Sequence, residues 1–244
     1  MPKSKPTMTP SPLARKRALV LLQALKWVLP DAKISLKYHS NWELLVAVIL
    51  SAQCTDKKVN EVTAKLFKKY RSLDDYVRVA ASGGTPPKAV ASASRRTVAE
   101  FERDIRSTGF YRAKAKNILA AAKLVKEKFG GKLPRTMAEM LTIPGVARKT
   151  ANVVLGNAYG VVEGIAVDTH VRRLAKRYGL TTYDDPVKIE RDLMALYPKK
   201  EWFTLTYRLI DYGRKYCPAR PHDHTECPVS IALKKKGLLP QAIA

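Results

Sequence analysis

Acidic residues, cysteines and long apolar runs are all scarce in this sequence. Asp and Glu number 21 against 45 Lys and Arg, which leaves a formal charge of +24 over 244 residues. Charges so far from cancelling point to a polyanionic partner, nucleic acid before an anionic membrane. Three cysteines, an odd number, argue against a disulfide framework and for a reducing compartment. The longest apolar run, Leu44 to Leu50, falls far short of the ~20 residues that a membrane-spanning helix needs. Met1 to Arg17 has no apolar core and is rich in Pro, Ser, Thr and Lys. It reads as a basic flexible arm over residues 1–10 rather than a secretory signal, with a cytoplasmic or nucleoid location expected. No fixed period recurs, so a solenoid is excluded. What is plentiful is hydrophobic material, 46% of residues, enough for a core and too much for a disordered basic tail.

Helical periodicity dominates the chain. Ser11-Pro12 caps and starts a helix with Leu21, Leu22, Leu25 and Val28 on one face, stopping near Pro30. Lys33 to Ser40 alternates apolar and polar residues and is extended, without a partner strand. Asn41 is read as the cap of a buried helix running through Leu50, and Thr55 or Asp56 as the cap of the next. Basic helices are expected from about Lys88 to Ser107 and from Tyr111 to Phe129, the latter closed by Gly130-Gly131. Further helices cover Thr169–Tyr178, the stretch after Asp185-Pro186, and Trp202–Tyr216. The expectation is an all-α protein of roughly ten helices.

The chemistry concentrates around Leu141-Thr142-Ile143-Pro144-Gly145-Val146-Ala147-Arg148-Lys149-Thr150-Ala151. A short helix from Met137 ends here, Pro144-Gly145 turns, and a second helix, buried beyond its first turn, runs from Ala147 to Ala158. A helix-turn-helix this tight aims unpaired backbone N–H groups outward, an arrangement that receives phosphate. Lys149 lies in that first turn beside Arg148. A neutral lysine amine can attack a sugar C1′ and form a Schiff base. Read alone, the same lysine more often simply touches a phosphate at a helix N-terminus. Asp168, in Val167-Asp168-Thr169-His170, reads alone as a helix N-cap. Its charge is also suited to stabilising an oxocarbenium-like sugar or to deprotonating an attacking amine.

Together these two stretches resemble the endonuclease III branch of the helix-hairpin-helix DNA glycosylases. Two further segments carry the resemblance, Leu50-Ser51-Ala52-Gln53-Cys54-Thr55-Asp56 and Thr108-Gly109-Phe110-Tyr111-Arg112-Ala113-Lys114-Ala115. The resemblance spans roughly Asn41 to Cys227. It implies two helical domains flanking a DNA-binding cleft: a six-helix barrel over 41–160, with the hairpin at 137–158, and a domain of terminal helices from 11–40 and 161–244. It implies a monomeric bifunctional glycosylase/AP lyase that excises oxidised pyrimidines from double-stranded DNA and nicks the abasic site by β-elimination. Lys149 would be the nucleophile and Asp168 the catalytic carboxylate. Gln53 would fill the space of an extruded base and Phe110 would wedge between bases, a sensible use of side chains when extrusion costs a few kcal/mol. Gly145, Ala147, Arg148, Thr150 and His170 would contact DNA. The plainer alternatives are a polar residue at a helix end for Gln53 and a core aromatic near a helix start for Phe110.

The sequence departs from the family where most members carry Cys-x6-Cys-x2-Cys-x5-Cys for a [4Fe–4S] cluster. Cys217 and Cys227 fill the first and third positions, but His224 and Leu233 occupy the second and fourth. Leucine cannot ligate iron, so the expectation is no iron–sulfur cluster and a 217–233 loop held by packing, with no cofactor. Zinc held by Cys217, His222, His224 and Cys227 is the alternative, set back by an unusual spacing and by Pro218 and Pro221 in the loop. Ala147 stands where the hairpin usually has a second glycine, and Ser82 to Lys88 reads as an insertion. Two other functions stay open: a monofunctional mismatch or adenine glycosylase, whose members usually lack the lysine, and a non-catalytic DNA-binding module.

Overall fold

The computed structural model describes residues 10–82, 97–241 and 243. All but Pro10 of the proposed arm and all but Ser82 of the proposed insertion lie outside the described residues. Within them the protein is helical, with no strand, and no helix is long and apolar enough to cross a membrane. The chain divides into two compact units, one of residues 1–34 and 162–244, the other of residues 35–161.

The central unit contains α2 (Asn41–Leu50), α3 (Asp56–Lys69), α4 (Leu73–Ala81), α5 (Val98–Ile105), α6 (Tyr111–Phe129), α7 (Met137–Met140) and α8 (Arg148–Tyr159); it is preceded in sequence by α1 (Pro12–Val28). Leu44 to Leu50 are buried without interruption, so α2 is packed on every side, against α3, α6 and α8. Its cap is Ser40, whose hydroxyl accepts from the Glu43 N–H, rather than Asn41. Thr55 caps α3 in the same way. Sequence reading passed over α4, although Ser72 and Asp75 form a capping box and Tyr76 and Val79 point inward. Of the helix expected from about Lys88 to Ser107, residues 88–96 lie outside the described residues, and the described part is α5, capped by Thr97. Trp42, Tyr70, Tyr76 and Phe101 pack together, three pairs edge-on and Tyr70–Tyr76 tilted, with neighbouring centroids 5.3–5.7 Å apart, and join α2, α4 and α5 to the end of α3. Residues 35–40 belong here and not with the terminal helices: Asn60 accepts from the Lys37 N–H and donates to the Ser35 carbonyl, which ties this extended stretch to α3.

The other unit joins α1 to α9 (Thr169–Arg177), α10 (Pro186–Leu196), α11 (Lys199–Lys215) and α12 (Pro228–Lys234). Leu21 and Leu25 of α1 are fully buried in a core with Val171, Leu174, Leu193, Leu209 and Tyr212. In the same unit Glu201 is buried with Arg208 at 3.2 Å and is also bridged by Lys26. α11 starts three residues ahead of Trp202, behind Pro198, and α12 was not foreseen.

Candidate DNA-repair site

The hairpin is built from α7, a turn and α8. Gly145 adopts φ +79°, and a Cβ there would lie 2.9 Å from Cβ of Asn117 on α6, so the turn needs glycine twice over. Ala147 has φ −92°, an ordinary value, which explains why alanine is accepted where a second glycine is usual. It stands at the N-cap of α8 and supplies no side-chain cap. Arg148, Lys149 and Thr150 follow, half-buried in the first turn, where backbone N–H groups face forward. From Ala151 to Gly156 the helix is buried.

Two other elements of the central unit hold the remaining predicted residues. Gln53, exposed in the turn after α2, has φ +52°, and Phe110, at the N-cap of α6, has φ +48°. Among the described residues these are the only non-glycines in left-handed backbone, a conformation costing on the order of 1–2 kcal/mol apiece. Phe110 is 66% exposed and therefore not a core aromatic.

Sequence reading missed what holds these two turns. Lys114 is buried, and its ammonium donates to the Leu50 carbonyl at 2.8 Å and to the Thr108 carbonyl at 2.7 Å. One side chain thus pins the end of α2, three residues before Gln53, to the short 3₁₀ turn Arg106–Thr108, two residues before Phe110. Burial holds the ammonium below the ordinary lysine value. The signal available in the sequence was Ala115, Ile118 and Ala122, which place Lys114 beside the inward face of α6.

In the other unit, Asp168 caps α9, its Oδ1 accepting from the Val171 N–H at 2.8 Å. The cap uses one carboxylate oxygen. His170 packs on α11 so closely that a Cβ at Gly213 would lie 2.7 Å from its Nδ1. The outward residues Thr169, His170, Arg172, Arg173, Lys176 and Arg177 of α9 line an open groove of about 610 Å³. This basic face follows from Val171, Leu174 and Ala175 turning inward, and it was legible from that spacing.

The 217–233 loop begins at the end of α11. Cys217 and Cys227 are buried, and the donor atoms of Cys217, His222, His224 and Cys227 all lie within 4.8 Å of one another. Leu233, in the last family cysteine position, is fully buried in the core. Burial and the neighbouring Cys217 sulfur push the Cys227 thiol up to about 12. Burial, then the Arg177 charge, hold the His224 imidazole below its usual value, so it is neutral near pH 7.

A helix-hairpin-helix with a lysine in its second helix's first turn, together with an aspartate-capped helix, defines a class of base excision repair proteins. Residues 46–199 match that class, the HhH-GPD superfamily of base excision DNA repair proteins. The chain belongs to it, within the endonuclease III family. The endonuclease III of Synechocystis sp. is 45% identical over 216 residues, covering 88% of this chain and 91% of that one. That of Bacillus subtilis is 43% identical over 209 residues, covering 85% and 87%. Among solved structures, a trapped endonuclease III–DNA covalent intermediate aligns with a TM-score of 0.77 and 40% identity, covering 91% of this chain and 98% of that one.

Proposed function

We propose that the protein is a bifunctional DNA glycosylase and AP lyase, acting on oxidised pyrimidines in double-stranded DNA. The observation carrying this reading is Lys149 in the uncapped first turn of α8, behind a hairpin that glycine alone permits, in a chain 40% identical to a relative trapped covalently on DNA. The Lys149 amine attacks C1′; the new C–N bond forms as the base leaves with the glycosidic electron pair and takes up a proton. Opening of the sugar ring gives a Schiff base. Loss of a C2′ proton then expels the 3′-phosphate, and water releases Lys149. Asp168 contributes negative charge while keeping its cap, since only one oxygen is committed to Val171.

Backbone N–H groups around Gly145 and Ala147, with Arg148 and Thr150, receive the phosphate. His170 and the basic face of α9 extend the phosphate contacts. Gln53 fills the place of the extruded nucleotide and Phe110 wedges the stack, a reading favoured by their exposure and strained backbone. One copy of the chain carries every residue named, so a monomer suffices.

Borohydride reduction on an abasic duplex is the test, because it freezes a C=N bond between protein and sugar. Wild type is expected to become covalently linked and Lys149→Ala to lose the link. Failure of wild type ends the lyase reading, and undiminished trapping by Lys149→Ala transfers it to another amine. Asp168→Asn keeps a cap and removes the charge. It is expected to slow trapping by about 10²-fold or more at little cost in stability.

A further inference from the structure

Four potential ligands converge at one end of the terminal-helix unit, and the repair chemistry uses none of them. The Cys217 sulfur lies 3.6 Å from His224 Nδ1, and the Cys227 sulfur 3.3 Å from His222 Nε2. The two imidazoles meet edge-on with centroids 4.0 Å apart. A tetrahedral ion with Zn–S near 2.3 Å and Zn–N near 2.0–2.1 Å sets its sulfur and nitrogen ligands about 3.5 Å from each other. The two sulfur–nitrogen pairs have the spacing of donors around one ion, and all four donor atoms lie within 4.8 Å of one another. It does not fit the cluster usual in the family: four irons and their sulfides spread their outer ligands wider, and the last thiolate position is Leu233, a buried core residue without a donor.

We infer that the Cys217–Cys227 loop is a mononuclear zinc site with Cys217, His222, His224 and Cys227 as its four ligands, standing where relatives carry an iron–sulfur cluster. The outer contacts agree. His222 Nδ1 lies 2.9 Å from the Arg220 carbonyl, which can only accept, so Nδ1 carries the proton and Nε2 presents its lone pair toward Cys227. This is the usual second contact of a metal-bound histidine. Arg177 Nη1 donates to the Cys217 sulfur at 3.0 Å and lies 3.3 Å from His224 Nδ1, so it borders the same cluster from α9.

The backbone also fixes where the donors stand. The Cys217 N–H donates to the Tyr212 carbonyl at 3.0 Å, closing α11. Asp223 Oδ1 accepts from the Thr225 N–H at 2.8 Å, shaping the 3₁₀ turn His224–Glu226 that leads into Cys227. Cys227 in turn stands at the N-cap of α12, with Pro228 following. Pro218 and Pro221, which on sequence weighed against a metal, stiffen the short link between the first cysteine and the histidine pair. All four positions are closed by protein, so the ion is structural and not catalytic. Two thiolates balance its charge, and soft sulfur with imidazole in a tetrahedron selects zinc among common divalent ions.

The full chain, expressed with both iron and zinc in the medium, decides the matter by elemental and acid-labile sulfide analysis. One equivalent of zinc per chain without labile sulfide is expected. Iron with labile sulfide would overturn the inference, as would a metal-free protein that takes up neither zinc nor cobalt on titration. Cobalt in the chelator-stripped protein should give the visible bands of a tetrahedral site and a thiolate charge-transfer band. An octahedral cobalt spectrum would count against the four named ligands. His222→Ala should weaken zinc retention at least tenfold in competition with a chelator, and His222→Cys, which restores a fourth donor, should recover it. Equal retention by wild type and His222→Ala would remove His222 from the set. Metal content is read apart from DNA cleavage, so failure here leaves the proposed lyase standing, and the reverse also holds.

Discussion

Replacing Lys114 by Met keeps the length of the side chain and deletes its ammonium. Two buried carbonyls, Leu50 and Thr108, then lose their donor. A hydrogen bond to a charged group contributes about 1.5–3 kcal/mol, and an orphaned buried acceptor costs about 1–3 kcal/mol. Against this, the variant no longer buries a cation, an expense visible in the lowered Lys114 pKa. The net expectation is a destabilisation of about 2–4 kcal/mol, read from the urea midpoint at constant slope. The damage should also be local. Amide exchange is expected to accelerate at Ala52, Cys54 and Gly109, whose N–H groups close the two pinned turns. With Gln53 and Phe110 no longer held, abasic-duplex affinity should fall together with stability. An unchanged midpoint with unchanged exchange at these amides would refute the idea that one buried ammonium holds both turns.

Phe110→Gly relieves the left-handed backbone and removes a mostly exposed ring, so it should raise stability by about 0.5–1 kcal/mol while weakening binding to an abasic duplex; titrations in urea and with labelled DNA read the two effects separately. Gly145→Ala meets both a positive φ and the Asn117 side chain and should cost about 2 kcal/mol or more, whereas Ala147→Gly should stay within about 0.5 kcal/mol in the same unfolding assay. Burial pushes the Glu201 carboxyl upward, but Lys26 and Arg208 outweigh it and the net shift is down. Its contribution is therefore present above the ordinary carboxylate value and lost as pH falls through the lower folded value. Glu201→Gln should flatten the acid limb of a stability-versus-pH curve and cost about 3 kcal/mol near pH 7, because it leaves Arg208 buried without its anion. DNA affinity should drop steeply with salt, by about tenfold or more between 50 and 200 mM; a flat log–log plot would mean that the +24 charge is not the binding footprint.

Elements governed by local rules could be read from the chain. Pro144-Gly145 marks a turn because few residues tolerate its backbone, and α2 announces its burial by having no polar face. Asp168 shows both a cap and a candidate acid for the same reason, its short carboxylate at a helix start. Features created by meeting of distant segments were harder to see. Lys114 reads as one more surface lysine until two carbonyls, 64 and 6 residues away, surround it. Phe110 reads either as a wedge or as a core aromatic, and only the fold, which leaves it outside, separates the two. The four ligands at 217–227 have an unfamiliar spacing, and spacing alone does not say whether a loop closes on itself.

The chain passes between the two units twice, at 34/35 and again at 161/162, so one unit is inserted within the other. During synthesis the inserted unit is complete when residue 161 emerges and has everything it needs to fold. Helix α1 is made before the inserted unit but finds its neighbours α10, α11 and α12 only after it. At ribosomal speeds of about 5–20 residues per second, its leucine face waits on the order of ten seconds or more before there is anything to cover it. Folding of the outer unit thus waits until α10, α11 and α12 have been made, when the loop carrying the two cysteines and two histidines also arrives.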